Sequence, residues 1–146
     1  MRPISDDVVT LREPEPGDAA VIVAGRDDEF RRFLGPGHDD PTPTASIVVA
    51  GEVVGWVDHD DRSWLTPDDC NLGYNVLPGH RGRGYASRAV RLLLAHLSEE
   101  GRYRVATLLI DPANEPSLAL ADRLGFEALD DLNGSRYFRL RLEPSP

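Results

Sequence analysis

The sequence has few of the residues that would cross-link, export or anchor a chain. Cys70 is its one cysteine, so no internal disulfide can form and a zinc cage would need other ligands. No apolar run approaches the length needed to cross a bilayer. The first residues, MRPISDDVVTLREPEPGD, carry acids where a signal peptide keeps its apolar segment. These features predict a cytoplasmic protein.

Positive charge is also in deficit. The chain has 16 Lys and Arg against 25 Asp and Glu, which gives a formal net charge of -9 at pH 7. A nucleic-acid backbone and an anionic membrane surface both bind proteins through positively charged surfaces. Neither nucleic-acid nor membrane binding is therefore expected of this chain. The charge favours a cationic ligand, although acidity is equally common as a means of staying in solution.

The 146 residues, 40% of them hydrophobic, predict a single domain over 1–146. The pattern predicts a strand, one or two helices, a β hairpin, a strand, a helix, a strand, a helix and two last strands. Strand 70–78, helix 86–99 and strand 105–111 form a βαβ unit, whose strands pair in parallel within an otherwise antiparallel sheet. The fold class predicted from these elements is α+β, with α and β mixed.

The connection between strand 70–78 and helix 86–99 reads GHRGRGYAS. Unpaired N–H groups and the positive end of the helix dipole meet at such a helix start, and Gly82 and Gly84 would let an anion approach the backbone. Arg81 and Arg83 would add positive charge. An ordinary glycine-containing turn with solvated arginines fits the spacing equally well. Neither a Walker-type phosphate loop nor G-x-G-x-x-G is present, since Ser87 stands where the third glycine of the latter would be.

The run Arg81-Gly82-Arg83-Gly84-Tyr85-Ala86 matches (Q/R)-x-x-G-x-(G/A), the signature of the GNAT superfamily of acetyl-CoA-dependent N-acetyltransferases. NLGYNVLPGHRGRGYASRAV resembles the strand, turn and helix that carry the cofactor there, and IDPANEPSLALADRLGF resembles the next strand and helix. The likeness covers residues 47–127 and is greatest to the branch of ribosomal-protein N-terminal acetyltransferases. It implies a central mixed, mostly antiparallel twisted sheet of about seven strands with about four helices.

The resemblance also implies where acetyl-CoA binds. Its pantetheine arm would pair with the backbone of Val76 and Leu77 at the end of a bulged strand, and it would touch Asn114. Its pyrophosphate would lie on the turn and first helical residues, which are Arg81, Gly82, Arg83, Gly84, Tyr85, Ala86 and Ser87. The resemblance implies no metal.

The catalytic residues are harder to assign, because two familiar ones are absent. Asn71 stands where many relatives carry a glutamate base, and Ala121 where many carry a tyrosine acid. By resemblance, Ser117 would give a proton to the departing thiolate and the Val76 N–H would polarise the carbonyl. Asp58 is the first choice for a base that orders a water near the amine, although an ordinary polar turn explains its segment at least as well.

The sequence therefore predicts an N-acetyltransferase that moves an acetyl group to a primary amine by direct attack in a ternary complex. The acceptor would be a small molecule or a protein N-terminus, bound by segments 26–45 and 58–70, whose acids favour a cation. Two alternatives stay open, a catalytically silent acyl-CoA-binding module and a phosphate- or nucleotide-binding domain unrelated to CoA. The chain is expected to be a monomer or a homodimer.

Overall fold

The computed structural model describes residues 1–61 and 66–143. It contains eight strands and four helices within that part of the chain. The strands are β1 Ile4–Ser5, β2 Thr10–Arg12, β3 Ala45–Val49, β4 Glu52–Asp61, β5 Asp69–Val76, β6 Val105–Ile110, β7 Glu127–Leu132 and β8 Ser135–Arg141. The helices are α1 Asp18–Ala24, α2 Asp28–Leu34, α3 Tyr85–Glu100 and α4 Glu115–Arg123.

The strands are hydrogen-bonded in the order β1-β2-β3-β4-β5-β6-β8-β7. Strands β5 and β6 pair in parallel, with Cys70 opposite Ala106, whereas the β1–β2, β2–β3, β3–β4, β6–β8 and β7–β8 pairs are antiparallel. This arrangement confirms the predicted mixed, mostly antiparallel sheet with four helices. The additional strand is β1, whose two residues are too few to produce a recognisable alternation in the sequence.

The chain divides into two compact units. The first comprises residues 1–58 and 74–93, and the second the described residues of 59–73 and 94–146. Their boundaries fall inside β4, β5 and α3. The single-domain organisation of residues 1–146 stays a prediction.

In the first unit, β2, β3, β4 and α1 contribute a core of fully buried aliphatic side chains, including Leu11, Ile22, Ile47 and Val57. The β3–β4 hairpin turns at Ala50 and Gly51, which both have positive φ, of 50° and 78°. A buried Asp18 carboxylate fixes the start of α1. It accepts hydrogen bonds from the Arg12 guanidinium at 2.7 Å, the Ser46 hydroxyl at 2.8 Å and the Glu15 N–H at 2.9 Å.

In the second unit, β6 is the buried strand. Ala106, Thr107 and Leu108 are all buried, so this strand is covered on both faces, as its nearly continuous apolar sequence predicts. It pairs with β8 along its full length. The last two strands join at Asn133 and Gly134, which both have positive φ.

Helix α3 presents the apolar stripe that its sequence predicts. Ala89, Val90, Leu93 and Leu97, at spacings of three and four, have no exposed surface. Full burial of a leucine side chain contributes about 2 kcal/mol, so this stripe holds the helix in place. Of the helices within residues 1–61 and 66–143, none is long and apolar enough to cross a membrane.

Candidate cofactor and catalytic site

The turn before α3 is built by proline and glycine. Strand β5 ends at Val76, and the His80 N–H then donates to the Leu77 carbonyl at 3.1 Å across Pro78 and Gly79. Gly79 has φ 88°, so these four residues have the proline and positive-φ glycine of a type II turn. The chain is thereby turned out of the sheet directly before Arg81.

The following residues form an open cradle at the start of α3. Gly82 and Gly84 are exposed and have φ of 76° and 80°, and a Cβ added to either would meet no atom within 4 Å. The first helical bond runs from the Arg88 N–H to the Gly84 carbonyl, so the N–H groups of the first turn have no acceptor within the helix itself. A pyrophosphate fits this arrangement, because it needs outward N–H groups and a backbone without side chains in front of them.

The Arg81 side chain contacts three other residues of the protein. Its Nε donates to the Val76 carbonyl at 2.8 Å, its Nη1 to Asp27 at 2.7 Å, and its Nη1 also lies 2.5 Å from Glu29. Asp27 in turn caps α2 by accepting from the Phe30 N–H. The hydrogen bond from Arg81 lowers the pKa of Asp27 to about 2. The side chain of Arg81 therefore joins the end of β5 to the start of α2.

The other two arginines near the turn differ in their surroundings. The Arg88 guanidinium lies 3.1 Å from both Asp6 and Asp7. Arg83 is exposed, and the described part of the chain places no carboxylate within ion-pairing distance of it. Among Arg81, Arg83 and Arg88, therefore, Arg83 is the one that no carboxylate of the described residues neutralises.

The Val76–Leu77 peptide is fixed at both of its polar atoms. Its carbonyl accepts from Arg81, and its N–H donates to the Val54 carbonyl at 2.8 Å. One residue earlier, the Asn75 carbonyl lies so near β4 that a Cβ on Gly55 would be 2.2 Å from its oxygen. The Leu77 N–H is thus already bonded to β4, so the predicted pairing with pantetheine would have to use other backbone atoms of Val76 and Leu77.

Asp58 lies on β4, which extends to Asp61. Its Oδ1 accepts from both the N–H and the hydroxyl of Thr44, at 3.0 Å and 2.9 Å. The sequence does not reveal the role of Thr44, because nothing in a polar loop indicates a partner fourteen residues away. These bonds orient the carboxylate through Oδ1 and leave Oδ2 outside the pair.

In the second unit, the two departures from the family pattern have structural explanations. The Asn71 side-chain oxygen accepts from the Thr107 hydroxyl at 3.1 Å, so an amide here joins β5 to β6. Ala121 has no exposed surface, and a tyrosine would not fit in its place without repacking. Cys70, on the same strand, is also fully buried, and burial raises the pKa of its thiol to about 12.

Asn114 and Ser117 lie at the start of α4. The Asn114 side chain accepts from the Ser117 N–H at 3.4 Å and so caps the helix, and Pro116 occupies the first turn. Ser117 is partly buried. The predicted cofactor residues 76–87 and Asp58 thus belong to the first unit, and Asn114 and Ser117 to the second.

No group of three or more His, Cys, Asp or Glu side chains within the described ranges is arranged to hold a metal ion. The predicted acceptor segment 58–70 is described in part, because residues 62–65 lie outside the described residues; among them are Trp64 and Leu65, whose sequence position makes them candidates for the lining of an acceptor pocket.

Known structures share this fold. An acetyltransferase of the GNAT family from Bacillus anthracis superposes with a TM-score of 0.80 at 14% identity, over 95% of this chain and 98% of that one. RimL, a ribosomal L7/L12 alpha-N-protein acetyltransferase in complex with coenzyme A, gives 0.78 at 14% identity, over 99% and 100%. The microcin C7 self-immunity acetyltransferase MccE, in complex with acetyl-CoA and AMP, gives 0.72 at 16% identity, over 93% of each chain.

No curated protein sequence matches the chain significantly. The family model described as an acetyltransferase (GNAT) domain matches residues 9–127, which include the glycine turn, Asp58, Asn114 and Ser117. The match covers most of the chain, and its fold is that of known GNAT structures. The chain therefore belongs to the GNAT acetyltransferase family.

Proposed function

We propose that this protein is an acetyl-CoA-dependent N-acetyltransferase that transfers an acetyl group to a primary amine. The observation that carries the proposal is the open cradle at Gly82 and Gly84 before α3, within a chain of the GNAT family. The complexes of RimL with coenzyme A and of MccE with acetyl-CoA support the choice of cofactor. The amides of residues 82–87 hold the pyrophosphate, and the backbone of Val76 and Leu77, together with Asn114, holds the pantetheine arm.

Bound acetyl-CoA supplies an activated acyl group in its thioester. The protein must then provide a polarised carbonyl, a neutral amine and a proton for the thiolate. The Val76 N–H polarises the carbonyl, and Ser117 gives the proton. Asp58, oriented by Thr44, is the candidate that orders a water to deprotonate the amine. The amine attacks the thioester directly while both substrates are bound, so no acyl-enzyme forms.

The acceptor is a primary amine on a small molecule or a protein N-terminus. An α-amino group, with a pKa of about 8, is partly neutral at physiological pH, whereas a lysine amine, with a pKa of about 10.4, needs a stronger base. The chain has asparagine at the usual glutamate position, so an α-amino group or another weakly basic amine is the easier acceptor. The acidic residues of segments 26–45 and 58–70 favour an acceptor with positive charge.

Two structural observations favour an alternative. Asn71 is hydrogen-bonded to Thr107 and Ala121 is fully buried, so neither position supplies an acid or base. A protein that binds acyl-CoA without transferring the acyl group would need neither. Such a silent module predicts binding of acetyl-CoA with no thiol release on any amine.

Thermal melting with acetyl-CoA, CoA and ATP, followed by thiol release across a panel of amines, tests both functions. The panel includes N-terminal peptides, polyamines and aminoglycosides. Stabilisation by both CoA forms, not by ATP, with thiol release on one amine class would support the enzyme. Stabilisation without release on any of them favours the silent module. If acetyl-CoA and CoA leave the melting temperature unchanged, the proposed cofactor site is wrong.

A further inference from the structure

The turn before α3 contains two arginines whose surroundings differ. Arg81 is part of a three-residue cluster with Asp27 and Glu29, whereas Arg83 is exposed and has no ion-pair partner among residues 1–61 and 66–143. Both lie within the predicted cofactor-binding turn. Spacing alone makes the two side chains equivalent candidates for binding a phosphate, so their contacts must distinguish them.

The contacts of Arg81 leave little of its charge for a ligand. Its single positive charge faces two carboxylates, so the cluster of Arg81, Asp27 and Glu29 has a net charge of -1. To turn both of its Nη groups toward a phosphate, the guanidinium would have to leave Asp27, to which it donates from Nη1 and Nη2, at 2.7 Å and 3.2 Å. That movement would leave two like charges side by side at the start of α2, which opposes it.

The remaining contact of Arg81 serves the backbone. Its Nε holds the carbonyl of the Val76–Leu77 peptide, while Val54 holds the N–H of the same peptide from the other side. A peptide plane bonded at both atoms cannot rotate without losing one bond. Since the preceding N–H belongs to Val76, the direction of the proposed carbonyl-polarising group depends on this restraint.

We propose that Arg81 is a positioning residue, which fixes the Val76–Leu77 peptide against α2 and leaves the phosphate contact of the glycine turn to Arg83. The assignment of Arg83 rests on the proposed function, because it presupposes CoA binding. The assignment of Arg81 rests on contacts within the protein and is tested separately.

Three matched variants, Arg81→Met, Arg83→Met and Arg91→Met, test whether Arg81 and Arg83 have these different roles. Each removes one positive charge and keeps an unbranched side chain, and Arg91, exposed on α3, serves as the control for net charge. The dissociation constant of CoA is measured by calorimetry at about 50 mM and about 500 mM salt, because loss of a phosphate contact reduces the salt dependence more than loss of a charge elsewhere on the protein does. Amide hydrogen exchange at Leu77 is followed by NMR without ligand.

Arg83→Met is expected to weaken CoA binding about tenfold at low salt, with the difference narrowing at high salt. Arg81→Met should keep the salt dependence of the wild-type protein and speed Leu77 exchange about tenfold, because the peptide loses its carbonyl partner. Arg81→Gln, which retains an N–H donor without the charge, should slow that exchange again. Arg91→Met should match the wild-type protein in both measurements.

If Arg81→Met reduced the salt dependence as much as Arg83→Met does, Arg81 would be a phosphate ligand and the proposed difference in roles would be wrong. Unchanged Leu77 exchange in Arg81→Met would also overturn its positioning role. Absence of CoA binding by the wild-type protein would refute the proposed function and the assignment of Arg83 with it. The exchange measurement would still decide the role of Arg81.

Discussion

Replacing Gly84 by alanine separates cofactor binding from folding. Gly84 has φ 80°, and a Cβ there would contact nothing within 4 Å, so the new methyl group would project into open space at the start of α3. That space is where the proposed pyrophosphate lies. Gly51, in the β3–β4 hairpin turn, has φ 78° and equally open surroundings, which makes Gly51→Ala a matched control.

Both substitutions place an L-residue in the left-handed region, at a cost of about 1 kcal/mol each. For a chain of 146 residues this corresponds to a decrease of about 2–4 °C in melting temperature. The two variants should therefore lose similar stability. Only Gly84→Ala should also lose CoA affinity, by about tenfold or more, because a displaced phosphate forfeits a charge-assisted hydrogen bond worth roughly 1.5–3 kcal/mol.

The assay combines unfolding of the free variants with calorimetric titration by CoA. If Gly84→Ala bound CoA as tightly as Gly51→Ala does, the phosphate would not contact this backbone, and the cradle would be refuted. An equal loss of affinity in both variants would attribute the effect to lost stability instead.

Three further predictions concern single side chains. Ser117→Ala should lower kcat for thiol release and leave the dissociation constant of CoA unchanged; an unchanged kcat would remove Ser117 from the chemistry. Asp27→Asn keeps the helix cap but loses the ion pair with Arg81. Since the folded pKa of Asp27 is about 2, below its ordinary 3.8, the carboxylate stabilises the fold above about pH 4 and ceases to do so as pH falls through 2. Because both side chains are about one-third exposed, the ion pair should contribute about 1 kcal/mol. In urea unfolding at pH 7, the free energy of unfolding of the wild-type protein should therefore be higher than that of Asp27→Asn by this amount, and the difference should disappear in acid. Cys70, buried and with a raised pKa, should react with a thiol reagent only after unfolding; rapid labelling of the native protein would contradict its burial.

The sequence predicts the secondary structure well where local chemistry determines it. Helix α3 extends over Tyr85–Glu100, one residue beyond the predicted range at each end, because the stripe of Ala89, Val90, Leu93 and Leu97 specifies both its period and its buried face. Gly101, with φ 73°, follows its end, which is where a helix most often needs a glycine. The cap at Asn114 is local in the same sense, since donor and acceptor are three residues apart.

Contacts between distant residues are what the sequence does not reveal. Arg81 and Asp27 are separated by 54 positions, and Asp18 and Ser46 by 28. No periodicity relates such pairs, so Arg81 is indistinguishable from Arg83 until the chain is folded. The bonding of Asn71 to Thr107 is similar, because the sequence reveals the missing glutamate and gives no reason for the asparagine.

The close approach of β4 and β5 at Gly55 restricts how this protein can vary. A Cβ there would be 2.2 Å from the Asn75 carbonyl oxygen, a backbone atom that cannot move without displacing the strand. At Gly25 the nearest atom, at 2.8 Å, belongs to the flexible end of the Leu77 side chain, which can rotate away. In a saturation library selected for folded protein, position 55 should therefore retain glycine, while position 25 accepts alanine. Any attempt to widen the range of acceptors by directed evolution has to leave Gly55 untouched.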